Sequence, residues 1–126
     1  MKEEEINKFE KAQSQVEGLY TEISLLSKKN PNDAVNKFKL KFINQLLSES
    51  NGILGEKYKP FEDFNNFPDD ELPTVSDVVM IFEQYLSCLE KFRSDNIIYG
   101  SPYWYWKTND GKASNIKTES PHKFKR

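Results

Sequence analysis

Thr74-Val75-Ser76-Asp77-Val78-Val79-Met80-Ile81-Phe82-Glu83-Gln84-Tyr85-Leu86-Ser87-Cys88-Leu89-Glu90-Lys91-Phe92 is the stretch that decides the fold. Val75, Val78, Phe82, Tyr85, Leu89 and Phe92 recur at alternating steps of three and four, the period of one face of an α-helix. Val79 and Leu86 widen that face on one side, Ile81 and Cys88 on the other. An apolar arc so wide needs two neighbours to cover it, so this segment predicts the central helix of a bundle. Thr74 followed by Asp77 has the spacing of a capping box, with Asp in place of the usual Glu.

Upstream, residues 3–29 carry a matching stripe. Ile6, Phe9, Gln13, Val16, Tyr20 and Ile23 alternate in the same way, flanked by Ala12, Leu19 and Leu26. Gln13 is the polar exception and reads as a register-setting amide. Asn30-Pro31-Asn32-Asp33 interrupts the pattern, with Asn30 as cap and Pro31 at the first helical position. The next helix is expected over 32–50, with Val35, Phe38, Phe42, Ile43, Leu46 and Leu47 buried and Lys37, Lys39 and Lys41 solvated. Asn51-Gly52 is a plausible stop. Residues 51–73 then form a long loop with Gly55, Pro60, Pro68 and Pro73. Phe61, Phe64 and Phe67 lie in it three residues apart; they predict a segment folded back on the helices, or else a secondary contact surface.

After helix 74–95 the character changes. Ile97-Ile98-Tyr99-Gly100-Ser101-Pro102-Tyr103-Trp104-Tyr105-Trp106 holds both tryptophans of the chain. Tyr103 to Trp106 are strong strand formers, Asn109-Asp110-Gly111 is a turn signal, and Lys112 to Thr118 can return, so 97–119 predicts an aromatic β-hairpin. Alternation puts Trp104 and Trp106 on one face and Tyr103 and Tyr105 on the other. Residues 120–126 read as a basic flexible tail. The fold class expected is mainly α: residues 1–96 as an antiparallel three-helix bundle with a long aromatic loop, then the C-terminal hairpin.

The chain has 126 residues and a net charge of −2, which conceals an asymmetry. Residues 107–126 hold Lys107, Lys112, Lys117, Lys123, Lys125 and Arg126 against Asp110 and Glu119, a net of +4, leaving −6 on residues 1–106. An acidic body argues against coating nucleic acid with the main surface. With Cys88 the single cysteine and His122 the single histidine, an intrachain disulfide, a cysteine-based metal site and a paired-histidine site are all ruled out. The carboxylates Glu62, Asp63, Asp69, Asp70 and Glu71 lack the spacing of a calcium loop. No cofactor, metal or catalytic activity is expected. No apolar run approaches a membrane span and no signal peptide is visible, so the cytoplasm is the expected compartment.

The aromatic and basic end is the constellation that can carry function. Tyr103, Trp104, Tyr105, Trp106, Lys107, Lys112 and Lys117 are the candidate partner-binding residues. They suit a protein partner, or base stacking with phosphate contacts, or they complete the fold. The expectation is a small non-enzymatic interaction protein of accessory, immunity or inhibitor type; the alternative is a nucleic-acid-associated regulator using this end. Apolar stripes wider than one seam requires also suggest a homodimer, with the first helix at the interface.

Overall fold

The heptad segment is a helix in the computed structural model, which describes residues 1–121. The chain forms α1 (Glu3–Lys29), α2 (Lys37–Tyr58) and α3 (Val75–Asp95), then β1 (Ile97–Gly100), β2 (Tyr103–Lys107) and β3 (Ala113–Thr118). At the start of α3 the Asp77 N–H donates to the Thr74 hydroxyl, and the Thr74 N–H donates to the Asp77 carboxylate, so the capping box is complete. Val78, Phe82, Tyr85 and Leu89 are fully buried. α3 packs against both α1 and α2, which is why its apolar arc is so broad.

α2 departs from the expected 32–50 at both ends. Val35 N–H donates to the Pro73 carbonyl and Val75 N–H to the Asp33 carbonyl, a bridge that holds 33–35 extended. The helix therefore starts after Asn36, whose Oδ1 accepts from the Lys39 N–H. It also runs through Asn51-Gly52, because Leu54 continues the buried face and Asn51 is tied into tertiary bonds. The break comes at Gly55, whose φ of 64° is open to glycine without steric cost. The inward stripe is Leu40, Ile43, Leu47, Ser50 and Leu54. Phe38 and Phe42, expected in the core, are 71% and 43% exposed; at about 100° per residue they fall beside that stripe, not on it.

The helix directions also differ from a fully antiparallel bundle. Ala34 bridges Thr74 at the starts of α2 and α3, the Tyr85 hydroxyl donates to Asn51 midway, and Tyr58 donates to Asp95 at the two ends. α2 and α3 thus run the same way. α1 runs against them, with Phe9 stacked on Phe92 and the Tyr20 hydroxyl donating to Glu83. The reason is the connection. Residues 59–74, at about 3.3 Å each when extended, outreach the roughly 30 Å length of α3. The loop climbs back along α2, held by the Asn51 amide to the Asn65 carbonyl and by two bonds between Asn44 and the Phe67 backbone.

The C-terminal sheet has three antiparallel strands in the order β1-β2-β3, not two. Ile97–Gly100 pairs with Tyr103–Trp106 across the Ser101-Pro102 turn. Ile97 and Trp106 join the same core as the helices. Of the segment read as a flexible tail, Ser120 is held by Arg93, and residues 122–126 lie outside the described residues.

Candidate functional site

β2 sets the site, because its alternation separates the aromatic run into two faces. Ile97 pairs with Trp106 and Tyr99 with Trp104, so these four share one face. Trp106 is completely buried and meets Phe9 edge-on at 5.2 Å between ring centroids. Its Nε1–H has no hydrogen-bond partner among the described residues. Trp104 is half-buried and packs at the margin of the core, 5.5 Å from the exposed ring of Tyr99. Trp104 and Trp106 therefore belong to the packing of the fold.

The opposite face carries Ile98, Tyr103, Tyr105 and Lys117. Tyr103 is half exposed, and the Lys117 ammonium lies 3.9 Å from its ring centroid, a cation–π distance. Tyr105 pairs with Lys117 across the ladder. Its ring lies over Gly100, where an added Cβ would come within 3.2 Å of Tyr105 Cδ2. Glycine at 100 leaves room for that ring beside the strand. The result is a small aromatic surface with one cation, on the side of the sheet turned away from the core.

The three candidate lysines do not form one basic strip. Lys107 donates from Nζ to the Asp95 carbonyl at 3.3 Å, and its own carbonyl accepts from the Met1 amino group at 2.9 Å. It joins the sheet to the end of α3. Lys112 is exposed in the turn closed by Gly111, and Lys117 sits over Tyr103.

Phe61, Phe64 and Phe67 are half-buried, stacked edge-on in series at 6.0 and 5.1 Å, and packed against the core. They anchor the returning loop. Cys88 is half-buried, and burial pushes its thiol up, away from the reactive thiolate. Among the described residues no group of three or more His, Cys, Asp or Glu side chains could hold a metal ion. Likewise no described helix is long and apolar enough to cross a membrane.

Two features escaped the sequence reading. Glu90 and Arg93 form a buried bidentate ion pair, Nε to Oε1 at 2.8 Å and Nη2 to Oε2 at 2.9 Å. Their signal was present: Phe82, Leu86, Leu89 and Arg93 keep the helical spacing, so Arg93 lies on the buried stripe. The second is an open groove between α1 and α2, lined by Lys11, Gln15 and Leu19 of α1 and by Phe42, Gln45 and Glu49 of α2. The exposed Phe38 and Phe42 were its signal, but they read as core. No family model, curated protein or solved structure matches this chain.

Proposed function

We propose that the chain is a small, non-enzymatic, cytoplasmic interaction protein, of accessory, immunity or inhibitor type, that binds another protein through the outer face of its sheet. The observation behind this reading is Tyr103, half exposed beside Lys117 and Tyr105 on a face the core does not use. Rigid aromatic side chains bury large areas on binding and lose little rotamer freedom, so they serve well as anchors. A role in nucleic-acid binding is less well supported. Lys117 already covers a face of Tyr103 that a base would stack on, and Lys107 is engaged within the fold. Self-association is a companion proposal, resting on the apolar side chains that α1 and α2 leave in solvent.

The test compares affinity capture from the native host by the wild type and by Tyr103→Ala, Tyr105→Ala, Trp104→Ala and Trp106→Ala, with melting curves for each. The tyrosine variants should lose the captured protein and keep a near-wild-type melting temperature, Tyr103→Ala most cleanly. The tryptophan variants should melt lower, Trp106→Ala by about 3–5 kcal/mol of stability. Capture unchanged in both tyrosine variants would move the interaction off this face. Binding of nucleic acid that weakens steeply with salt would favour the regulatory alternative.

A further inference from the structure

The groove between α1 and α2 is open to solvent and lined by side chains of both helices. Its residues are ordered in levels along its length. At one end Leu26 and Lys39 line a separate hollow at the start of α2, and Phe38, 71% exposed, lies edge-on to Phe42 of the groove at 5.1 Å. Next come Leu19, Gln15 and Lys11 of α1 and Phe42, Gln45 and Glu49 of α2; because the two helices are antiparallel, their order along the groove puts Leu19 level with Phe42, Gln15 with Gln45 and Lys11 with Glu49. Lys11 and Glu49 also line the following stretch, together with Lys8, Gly52 and Ile53, so these two stretches are continuous. It runs from apolar through amide to oppositely charged. α3 packs on both helices and the returning loop is bonded to Asn44 and Asn51, so neither closes the groove.

We propose that this groove is the interface for a second copy of the chain, with the two-fold axis running along it. The inference rests on the self-association reading above and gives it a surface and a geometry. About such an axis, α1 of each copy meets α2 of the other, because a half-turn about the groove exchanges its two sides and returns each level to its own height. Leu26 and Leu19 then meet Phe38 and Phe42 of the other copy. Gln15 meets Gln45, an amide layer of the kind that fixes register inside coiled coils. Lys11 meets Glu49 twice, once on each side of the axis. Among the described residues neither Lys11 nor Glu49 takes part in an ion pair within the chain. A two-fold axis across the helices would instead set the phenylalanines against the charged end.

The dimensions agree. The levels from Leu26 to Lys8 span about 27 Å at 1.5 Å per residue, and two helices each about 10 Å across make a face of roughly 540 Å². Two such faces together bury a little over about 1,000 Å², the size from which a specific interface begins.

The test uses light scattering and sedimentation on the full chain at high micromolar concentration, with helical circular dichroism and melting as folding controls. The wild type should be a dimer. Lys11→Glu alone and Glu49→Lys alone each place like charges across the axis, and each should weaken the homodimer at least about tenfold. Mixed in equal amounts they should restore a dimer, because in that pair both cross-axis contacts are opposite in sign. Phe38→Ser, at a site exposed in the monomer, should weaken the dimer without lowering the stability of the monomer. A monomeric wild type overturns this interface and the self-association reading together. A dimeric wild type that is insensitive to the charge changes or to Phe38→Ser overturns the interface alone. So does a mixture of the charge variants that stays monomeric.

Discussion

Tyr58 donates its phenolic proton to Asp95 Oδ2 at 2.7 Å, and Lys91 reaches Oδ1 of the same carboxylate at 3.1 Å. This group joins the ends of α2 and α3, and it titrates at both ends. The hydrogen bond from Tyr58, then that from Lys91, holds the Asp95 carboxyl below its ordinary range. The same bond, with some burial, pushes the Tyr58 phenol up. A depressed carboxyl contributes stability above its unfolded pKa of about 4 and loses it as pH falls. A raised phenol contributes stability below its unfolded pKa of about 10 and loses it as pH climbs through the folded value. The pair is largely exposed, so its contribution stays under about 1 kcal/mol. Denaturant melts of wild type and Tyr58→Phe should therefore differ by a constant amount through neutral pH. The difference should shrink below about pH 4 and above about pH 10. An unchanged difference at both extremes would remove this bond from the stability of the fold. Single residues of this kind were hardly legible in the sequence, because the bond joins positions 37 apart. Trp106 against Tyr103 was legible, since strand alternation alone separates them. Phe38 and Phe42 misled, because a helical period cannot say which of two adjacent stripes is turned inward.

Among the elements, the loop 59–74 has the widest consequences. Its length lets α3 start beside the start of α2, so two consecutive helices lie parallel where a short turn would have reversed them. Asn44 secures that return: its Nδ2 donates to the Phe67 carbonyl at 2.9 Å, and its Oδ1 accepts from the Phe67 N–H at 2.9 Å. Asn44→Ala leaves both backbone groups of Phe67 without those partners in a partly buried setting, a loss of about 1–3 kcal/mol. Urea unfolding should show that loss, and amide exchange at Phe67 should accelerate while α1 stays protected. Exchange at Phe67 no faster than in the wild type would mean the phenylalanine stack holds the loop by itself. The three helices were plain in the sequence because each keeps its period for three turns or more. The direction of α3 was not, since it depends on two asparagines reaching a backbone whose course local pattern cannot supply. Strand β1 was missed as a separate element for a similar reason: four residues carry little periodicity, and their pairing with β2 settles them.

At the scale of the whole molecule, one buried cation joins the helical layer to the sheet. Arg93, on the last turn of α3, binds Glu90 through two of its nitrogens. It also donates to the Thr118 hydroxyl at 2.7 Å and to the carbonyls of Glu119 and Ser120, both at 2.8 Å. Both charged side chains are almost fully buried. The pair and the tether are separable in energy. Arg93→Met deprives the buried Glu90 carboxylate of its guanidinium, a change of about 3–5 kcal/mol for a pair of this depth. Replacing both partners removes the desolvated charges together, and such exchanges are often neutral or stabilising. Glu90→Met combined with Arg93→Met should therefore recover much of the stability that Arg93→Met loses. The tether is not recovered, because the end of β3 loses the same three bonds in both variants. Hydrogen exchange at the end of β3 should be faster than wild type in the single and the double variant alike, even where the melting temperature has returned. A double variant as unstable as the single would show that the tether, rather than the buried charge, holds the sheet to α3. A double variant with wild-type exchange would show that the sheet is held by Ile97 and Trp106 packing alone.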